Sequence, residues 1–84
     1  MRVVCIFREG EDYSRAVNEW LTGFYRQTGR QVEVLDPDKE THFCEMYDVV
    51  EYPTILALDG NGAVKAVWRG KELPLFDEVL FYMI

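Results

Sequence analysis

Acidic and hydroxyl side chains with the potential for chemistry lie near the amino terminus, in the segment CIFREGEDYSRAVNEWL (residues 5–21). Glu9, Glu11 and Asp12 could form an acid–base pair or bind a metal ion, and Ser14 could act as a nucleophile. General acid–base catalysis requires a carboxylate with a shifted pKa, usually in a desolvated pocket. Charged residues at an exposed helix start more often cap the helix and solvate its surface, so we interpret these carboxylates in that way.

The other groups with potential chemistry are one histidine and two cysteines. A nucleophilic Ser14 would need a base, but His42, the only histidine, lies in the second crossover of the predicted fold. Cys5 and Cys44 are far apart in sequence and do not form a metal-binding motif. The single histidine does not add enough ligands to make one. We therefore predict no catalytic residue, no metal site and no cofactor, and we expect both cysteines to be packing residues with free thiols.

The length and composition of the chain favour one small domain. Its 84 residues leave no room for a second core, so we expect a single domain over residues 1–84. Hydrophobic residues at 49% and aromatic residues at 14% are sufficient for a packed interior. The net charge of −6, without a Lys/Arg cluster, disfavours nucleic acid and anionic membranes as partners, because neither would be attracted electrostatically.

The start of the sequence predicts a cytoplasmic location. The segment MRVVCIF enters a strand within two residues and has no basic region followed by a long apolar stretch and a cleavage site. The longest apolar runs are far too short to span a membrane.

The first half of the chain predicts a strand, a helix and a second strand. Residues 2–7 form a nearly continuous apolar run, which is typical of a central strand covered on both faces. Gly10 breaks this strand, Asp12 can cap a helix, and apolar residues at three- and four-residue intervals continue the helix to about Gly29. A short strand over residues 31–35 then completes a right-handed βαβ unit with parallel strands.

The second half predicts a hairpin and a terminal helix. Residues 39–49 show only a weak helical pattern. Residues 54–58 and 63–68 are predicted strands joined by Asp59-Gly60-Asn61-Gly62, whose residues tolerate the positive φ of a tight hairpin. Pro74 suits the first position of a final helix. The apolar stripe of that helix consists of Phe76, Val79, Leu80 and Met83.

The predicted order β-α-β-(α)-β-β-α, with Tyr52-Pro53-Thr54 directly before the third strand, resembles the thioredoxin-like fold over essentially the whole chain. YDVVEYPTILALDGNGAVKAVWRG (residues 47–70) is similar to the carboxyl half of a thioredoxin, in which a tyrosine and an aliphatic pair lead to a cis-proline. IFREGEDYSRAVNEWL (residues 6–21) is more similar to a glutaredoxin, whose strand and glycine lead into Cys-Pro-Tyr-Cys. The resemblance implies an α/β domain in which helices flank a four-stranded mixed sheet, with a cis bond before Pro53.

The sequence departs from the family at the residues that carry its chemistry. Glu11 and Ser14 align with the two cysteines, Asp12 with the proline and Tyr13 with the tyrosine. In the family, the helix start lowers the pKa of the first thiol, and the resulting thiolate attacks a disulfide. A carboxylate at Glu11 can occupy the same positive field but cannot form a mixed disulfide. We therefore expect a redox-inactive protein.

The leading hypothesis is a module that binds a protein or an extended peptide in a groove at the former dithiol site. In the family, the backbone before the cis-proline is free to pair with such a peptide, and the nearby carboxylates would favour a basic segment. The expected groove residues are Glu11, Asp12, Tyr13, Ser14, Tyr52, Pro53 and Thr54. The alternative is an enzyme with residual thiol chemistry through Cys44, which would have to be exposed, or with glutathione bound at Pro53.

The terminal segment LPLFDEVLFYMI (residues 73–84) contains more apolar residues than one helical stripe can bury. The residues left over are Leu75, Phe81, Tyr82 and Ile84. An exposed apolar patch often marks an interface, so a homodimer through the terminal helix is a further alternative. The other reading is that these residues fold back and cover the edge of the sheet.

Overall fold

The fold is organised around a strand that is apolar along almost its whole length. The computed structural model covers residues 1–84. β1 (Arg2–Ile6) is buried at every position after the first and pairs in parallel with β2 (Glu33–Leu35) and antiparallel with β3 (Thr54–Leu58). β3 also pairs antiparallel with β4 (Val64–Arg69), which gives the order β2-β1-β3-β4. The predicted four-stranded mixed sheet is therefore confirmed, with β1 in its interior.

Three helices connect or follow the strands. They are α1 (Ser14–Thr28), α2 (Thr41–Met46) and α3 (Phe76–Leu80). α1 joins the parallel strands β1 and β2 and ends, as predicted, at Gly29, which has a φ of 73° and donates its N–H to the Tyr25 carbonyl at 2.8 Å. A left-handed residue at a helix end favours glycine because it has no Cβ. None of the three helices combines the length and apolarity needed to cross a membrane.

Two helix starts differ from the prediction. Tyr13, not Asp12, is the residue before the first turn of α1, and no side chain caps that turn. α3 begins at Phe76 rather than at Pro74. Pro74 is buried, and its carbonyl accepts a hydrogen bond of 2.8 Å from the indole N–H of Trp20 in α1. The carbonyl of Pro74 therefore connects the terminal segment to α1 at a point before α3 begins.

Side chains that alternate along β1 and β3 divide the core into two clusters on opposite faces of the sheet. The face covered by α1 and α3 carries Val3, Cys5, Phe7, Val17, Phe24, Val32, Ile55, Ala57 and Val79. The face covered by α2 carries Val4, Ile6, Cys44, Val49, Leu56 and Leu58. Both central strands are covered on both sides, which explains why they are almost entirely apolar.

An aromatic cluster joins α1 to α3. The Phe24 ring is fully buried, stacks on Trp20 with 5.2 Å between centroids, and meets Phe76 edge-on at 5.6 Å. Gly23 lies beside this contact, and a Cβ at that position would be only 3.1 Å from Cζ of Phe76. Glycine in the middle of α1 therefore allows the close approach of the two helices.

The predicted hairpin between β3 and β4 is present. The Asp59 carboxylate accepts hydrogen bonds from the N–H groups of Ala63 at 3.0 Å and Asn61 at 2.8 Å, which lower the pKa of its carboxyl. Gly62 supplies a positive φ of 83°. The turn chemistry of the sequence thus determines this connection locally.

Candidate functional site

Glu11 and Ser14, the two positions predicted to align with a dithiol, lie in one turn at the start of α1. The N–H of Ser14 donates to the Glu11 carbonyl at 3.1 Å, and the Ser14 hydroxyl donates to the same carbonyl at 2.9 Å. The hydroxyl is thus used in the turn, and the groups within its hydrogen-bonding reach do not include a histidine. Glu11 is exposed and its carboxylate has no side-chain partner in the chain.

The other two carboxylates of this segment are paired. Lys71 donates to Asp12 through an Nζ–Oδ2 hydrogen bond of 2.8 Å, which lowers the pKa of the Asp12 carboxyl. Glu9 accepts hydrogen bonds from the side-chain amide of Asn18 at 3.1 and 3.3 Å. The prediction that Asp12 caps α1 is wrong because its carboxylate turns towards a lysine that is distant in sequence. Glu11 is the one carboxylate of the three without a side-chain partner, and Glu9, whose partner is a neutral amide, keeps its negative charge.

Arg8 links the two halves of the predicted groove, and our sequence analysis did not single it out. Its backbone N–H donates to the Tyr13 hydroxyl at 3.2 Å, and its guanidinium lies 4.8 Å from the centroid of the Tyr52 ring. The guanidinium also forms a forked ion pair with Asp38 at 2.9–3.1 Å, which lowers the pKa of the Asp38 carboxyl. The available signal was a lone arginine directly after a buried apolar strand.

The segment before β3 contributes backbone rather than side chains. The Tyr52–Pro53 peptide bond is cis. Pro53 and Thr54 are both buried, and the Thr54 hydroxyl donates to the Glu51 carbonyl at 2.7 Å. Thr54 therefore stabilises the turn and does not offer its side chain to a groove, contrary to our expectation. Tyr52 is half-buried, and neither its N–H nor its C=O makes a hydrogen bond within the chain.

The turn after β4 brings the two segments together. The N–H of Gly70 donates to the Pro53 carbonyl at 2.9 Å, and the next residue, Lys71, holds Asp12. Because these two contacts come from consecutive residues, the segment before α1 and the segment before β3 lie side by side. Gly70-Lys71 thus borders both segments of the predicted groove, and the sequence did not indicate this.

The two cysteines lie on opposite faces of the sheet, so they cannot form a disulfide. Burial raises the pKa of Cys5 to about 12. Burial also raises the pKa of Cys44, which is 7% exposed, and a hydrogen bond with the Tyr52 side chain opposes this rise by a smaller amount. Both are free buried thiols, as predicted, and the exposure that the thiol-enzyme alternative requires of Cys44 is not found.

We expect neither thiol to react readily in the native protein. A reagent needs access to a thiolate, and burial denies both access and ionisation. Alkylation at neutral pH followed by mass spectrometry should find almost no modification of the folded chain and two modified cysteines in denaturant without reductant. Cys44 should be the first to react, since it lines an open pocket of about 400 Å³ beside Tyr52. Rapid native labelling of Cys44 would instead revive the thiol-enzyme alternative.

The side chains that could bind a metal ion are dispersed through the structure. No group of three or more His, Cys, Asp and Glu side chains is arranged to hold a metal ion.

At the carboxyl terminus, Leu75, Phe81 and Ile84 are 70%, 70% and 83% exposed, whereas Tyr82 packs edge-on against Trp68 with 5.7 Å between ring centroids. The homodimer through this end of the molecule remains a prediction.

Comparison with known proteins identifies the fold. No protein-family profile matches the chain, and neither does any curated protein. Among solved structures, thioredoxin 1 from Thermosipho africanus TCF52B is similar with a TM-score of 0.70 and 14% identity, over 99% of this chain and 90% of that one. The germline-specific thioredoxin Deadhead from Drosophila melanogaster is similar with a TM-score of 0.69 and 19% identity, over 96% and 75% of the two chains. The chain therefore has a thioredoxin-like fold, as predicted.

Proposed function

We propose that this thioredoxin-fold chain is a redox-inactive module that binds an extended segment of a partner protein beside residues 11–14 and Tyr52. The observation that carries the proposal is the free N–H and C=O of Tyr52, which lies two residues before β3. Unpaired backbone groups next to a strand are a template for strand addition, in which main-chain hydrogen bonds supply affinity.

We propose redox inactivity because of the positions of the two thiols. Positions 11 and 14 carry a carboxylate and a hydroxyl, and neither can form a mixed disulfide. Cys5 and Cys44 are buried on opposite faces of the sheet with raised pKa values, so neither is positioned to replace the missing dithiol. With no thiol in place for disulfide exchange, binding beside Tyr52 is the role that we propose.

The side chains around Tyr52 would contribute selectivity. The Tyr13 and Tyr52 rings are partly exposed on either side of Arg8, and aromatic rings supply contact area at low entropic cost. The local negative charge that would favour a basic segment is smaller than the sequence suggested, because Lys71 already neutralises Asp12. Glu9, Glu11 and the net charge of −6 are left to steer a basic segment towards the groove.

The proposal can be tested by titrating extended peptides of basic and acidic composition while following backbone amide signals by NMR. Basic peptides should move signals of residues 10–15, 51–54 and 70–71, and binding should weaken with added salt. Glu11→Lys should weaken the binding of the basic peptide by about threefold, as expected for a single rim charge. Glu19→Lys, on the exposed outer face of α1, is the charge-matched control and should change little.

Two results would contradict the proposal. One is the absence of any peptide-induced shift at Tyr52 and its neighbours. The other is a set of shifts confined to residues 75–84, which would place the interface at the carboxyl terminus instead of the groove.

A further inference from the structure

A second pocket lies beside the edge strand β4 and is walled by aromatic rings. Trp68 and Tyr82 meet at 71° with 5.7 Å between centroids, and Phe81 and Tyr82 meet at 86° with 5.0 Å between centroids. With Ala66 and Glu78, these three residues line an open pocket of about 340 Å³. Both ring pairs meet edge to face, so the rings turn their faces in different directions at this open pocket.

The pocket also contains a carboxylate without a cationic partner. Glu78 accepts a hydrogen bond of 3.2 Å from the indole N–H of Trp68. It takes part in none of the five ion pairs of the chain. The ion pair nearest to it in sequence is Lys71–Asp12. A carboxylate has about four acceptor positions, so most of them remain free. The negative charge of Glu78 therefore lies beside three rings whose faces are themselves electron-rich.

Phe81 is exposed in a way that core packing does not explain. Its side chain is 70% exposed, whereas Phe24 in the core is fully buried. The two cation–π contacts within the chain, Arg2 over Phe43 and Arg8 over Tyr52, are both elsewhere. The rings of the pocket are therefore open to a cation from outside the chain.

We propose that this pocket, formed by Trp68, Glu78, Phe81 and Tyr82, binds a quaternary ammonium group. Such a cation is attracted to aromatic faces and to a carboxylate, and it needs no hydrogen-bond acceptor. A primary ammonium is strongly hydrated and has three donors that point in tetrahedral directions, and a single carboxylate cannot accept all three. The trimethylammonium group is carried by choline as a small molecule and by trimethylated lysine on a protein. This site is separate from the groove at Tyr52 and does not depend on the function proposed for it.

The test is an NMR titration with choline and with its neutral isostere 3,3-dimethylbutan-1-ol, in which carbon replaces nitrogen. Choline should move the indole N–H signal of Trp68, while the indole N–H of Trp20, which is bonded to the Pro74 carbonyl, serves as an internal reference. The isostere should bind about fivefold more weakly, because it retains the shape and loses the charge. Equal affinity for the two compounds would mean that the pocket recognises only apolar shape, and it would overturn the proposal. A Trp68 signal that does not move on addition of choline would overturn it as well.

Variants on the exposed wall of the pocket should leave the fold intact. Phe81→Leu and Glu78→Gln should each weaken choline binding by about two- to fivefold, and Tyr25→Leu, at an exposed aromatic residue of α1, should not. Unchanged affinity in both pocket variants would contradict the assignment. Peptides with unmodified or trimethylated lysine distinguish the sources: tighter binding of the trimethylated peptide than of choline supports a protein ligand, and binding of choline alone supports a small one.

Discussion

Replacing Glu11 and Ser14 together with cysteine should convert this protein into a dithiol oxidoreductase. The N–H of Ser14 donates to the Glu11 carbonyl at 3.1 Å, so the two positions are the ends of a hydrogen-bonded turn. The Cα atoms at the ends of such a turn lie within about 7 Å, the upper limit for a disulfide. The turn leads into the 15-residue helix α1, whose positive end would favour a thiolate.

The expected gain is large because the scaffold is otherwise in place. A thiol at a helix start has a lowered pKa, which raises its thiolate fraction at pH 7 by about tenfold over an ordinary cysteine. Glu11→Cys/Ser14→Cys should therefore form an internal disulfide by mass spectrometry and accelerate the reduction of a disulfide substrate by dithiothreitol by about tenfold. The two single variants are the matched controls, since neither can close the disulfide.

The unaltered chain should remain at the background rate in the same assay. The proposal of redox inactivity would be contradicted by turnover clearly above background that is lost when Cys5 or Cys44 is replaced with serine. An inert double variant whose disulfide has formed would show that the segment before α1 is not accessible to a disulfide substrate, and this would also count against peptide binding there.

Phe24→Ala should destabilise the domain by about 3–5 kcal/mol, the range for removing a fully buried aromatic ring. Phe24 has no exposed surface and lies between Trp20 and Phe76, so its loss would leave a cavity where α1 meets α3. A change of this size is comparable with the whole stability of many small domains, about 5–15 kcal/mol. Urea denaturation followed by circular dichroism should find the variant largely unfolded or with a much lower midpoint.

The adjacent residue provides the control for this experiment. Tyr25 is 51% exposed on the outer side of the same helix, so Tyr25→Ala removes an aromatic ring without opening the core. Its free energy of unfolding should change by no more than about 0.5 kcal/mol, apart from the small difference in helix propensity. Similar losses in the two variants would mean that the aromatic cluster does not determine the stability of this interface between helices.

The sequence by itself determined the order of elements and the absence of cysteine at positions 11 and 14. The apolar run of β1, the periodicity of α1, the glycine at 29 and the turn at residues 59–62 are local features, each set by backbone geometry within a few residues. The carboxylate at position 11 and the hydroxyl at position 14, at the start of α1, are likewise read directly from the sequence. These features were predicted because their causes are short-range.

The tertiary structure alone decided which side chains meet. Lys71 takes Asp12 away from its expected cap, and Arg8 contacts both Tyr13 and Tyr52. The pocket of Trp68, Glu78, Phe81 and Tyr82 was visible in sequence only as surplus apolar residues near the carboxyl terminus. The physical reason is that a pattern along the chain fixes which face a residue occupies, whereas a contact between distant residues depends on how the layers pack and where the loops end. The apolar run of residues 2–7 placed Cys5 in a strand, but only the packing of α2 on the opposite face of the sheet separated it from Cys44.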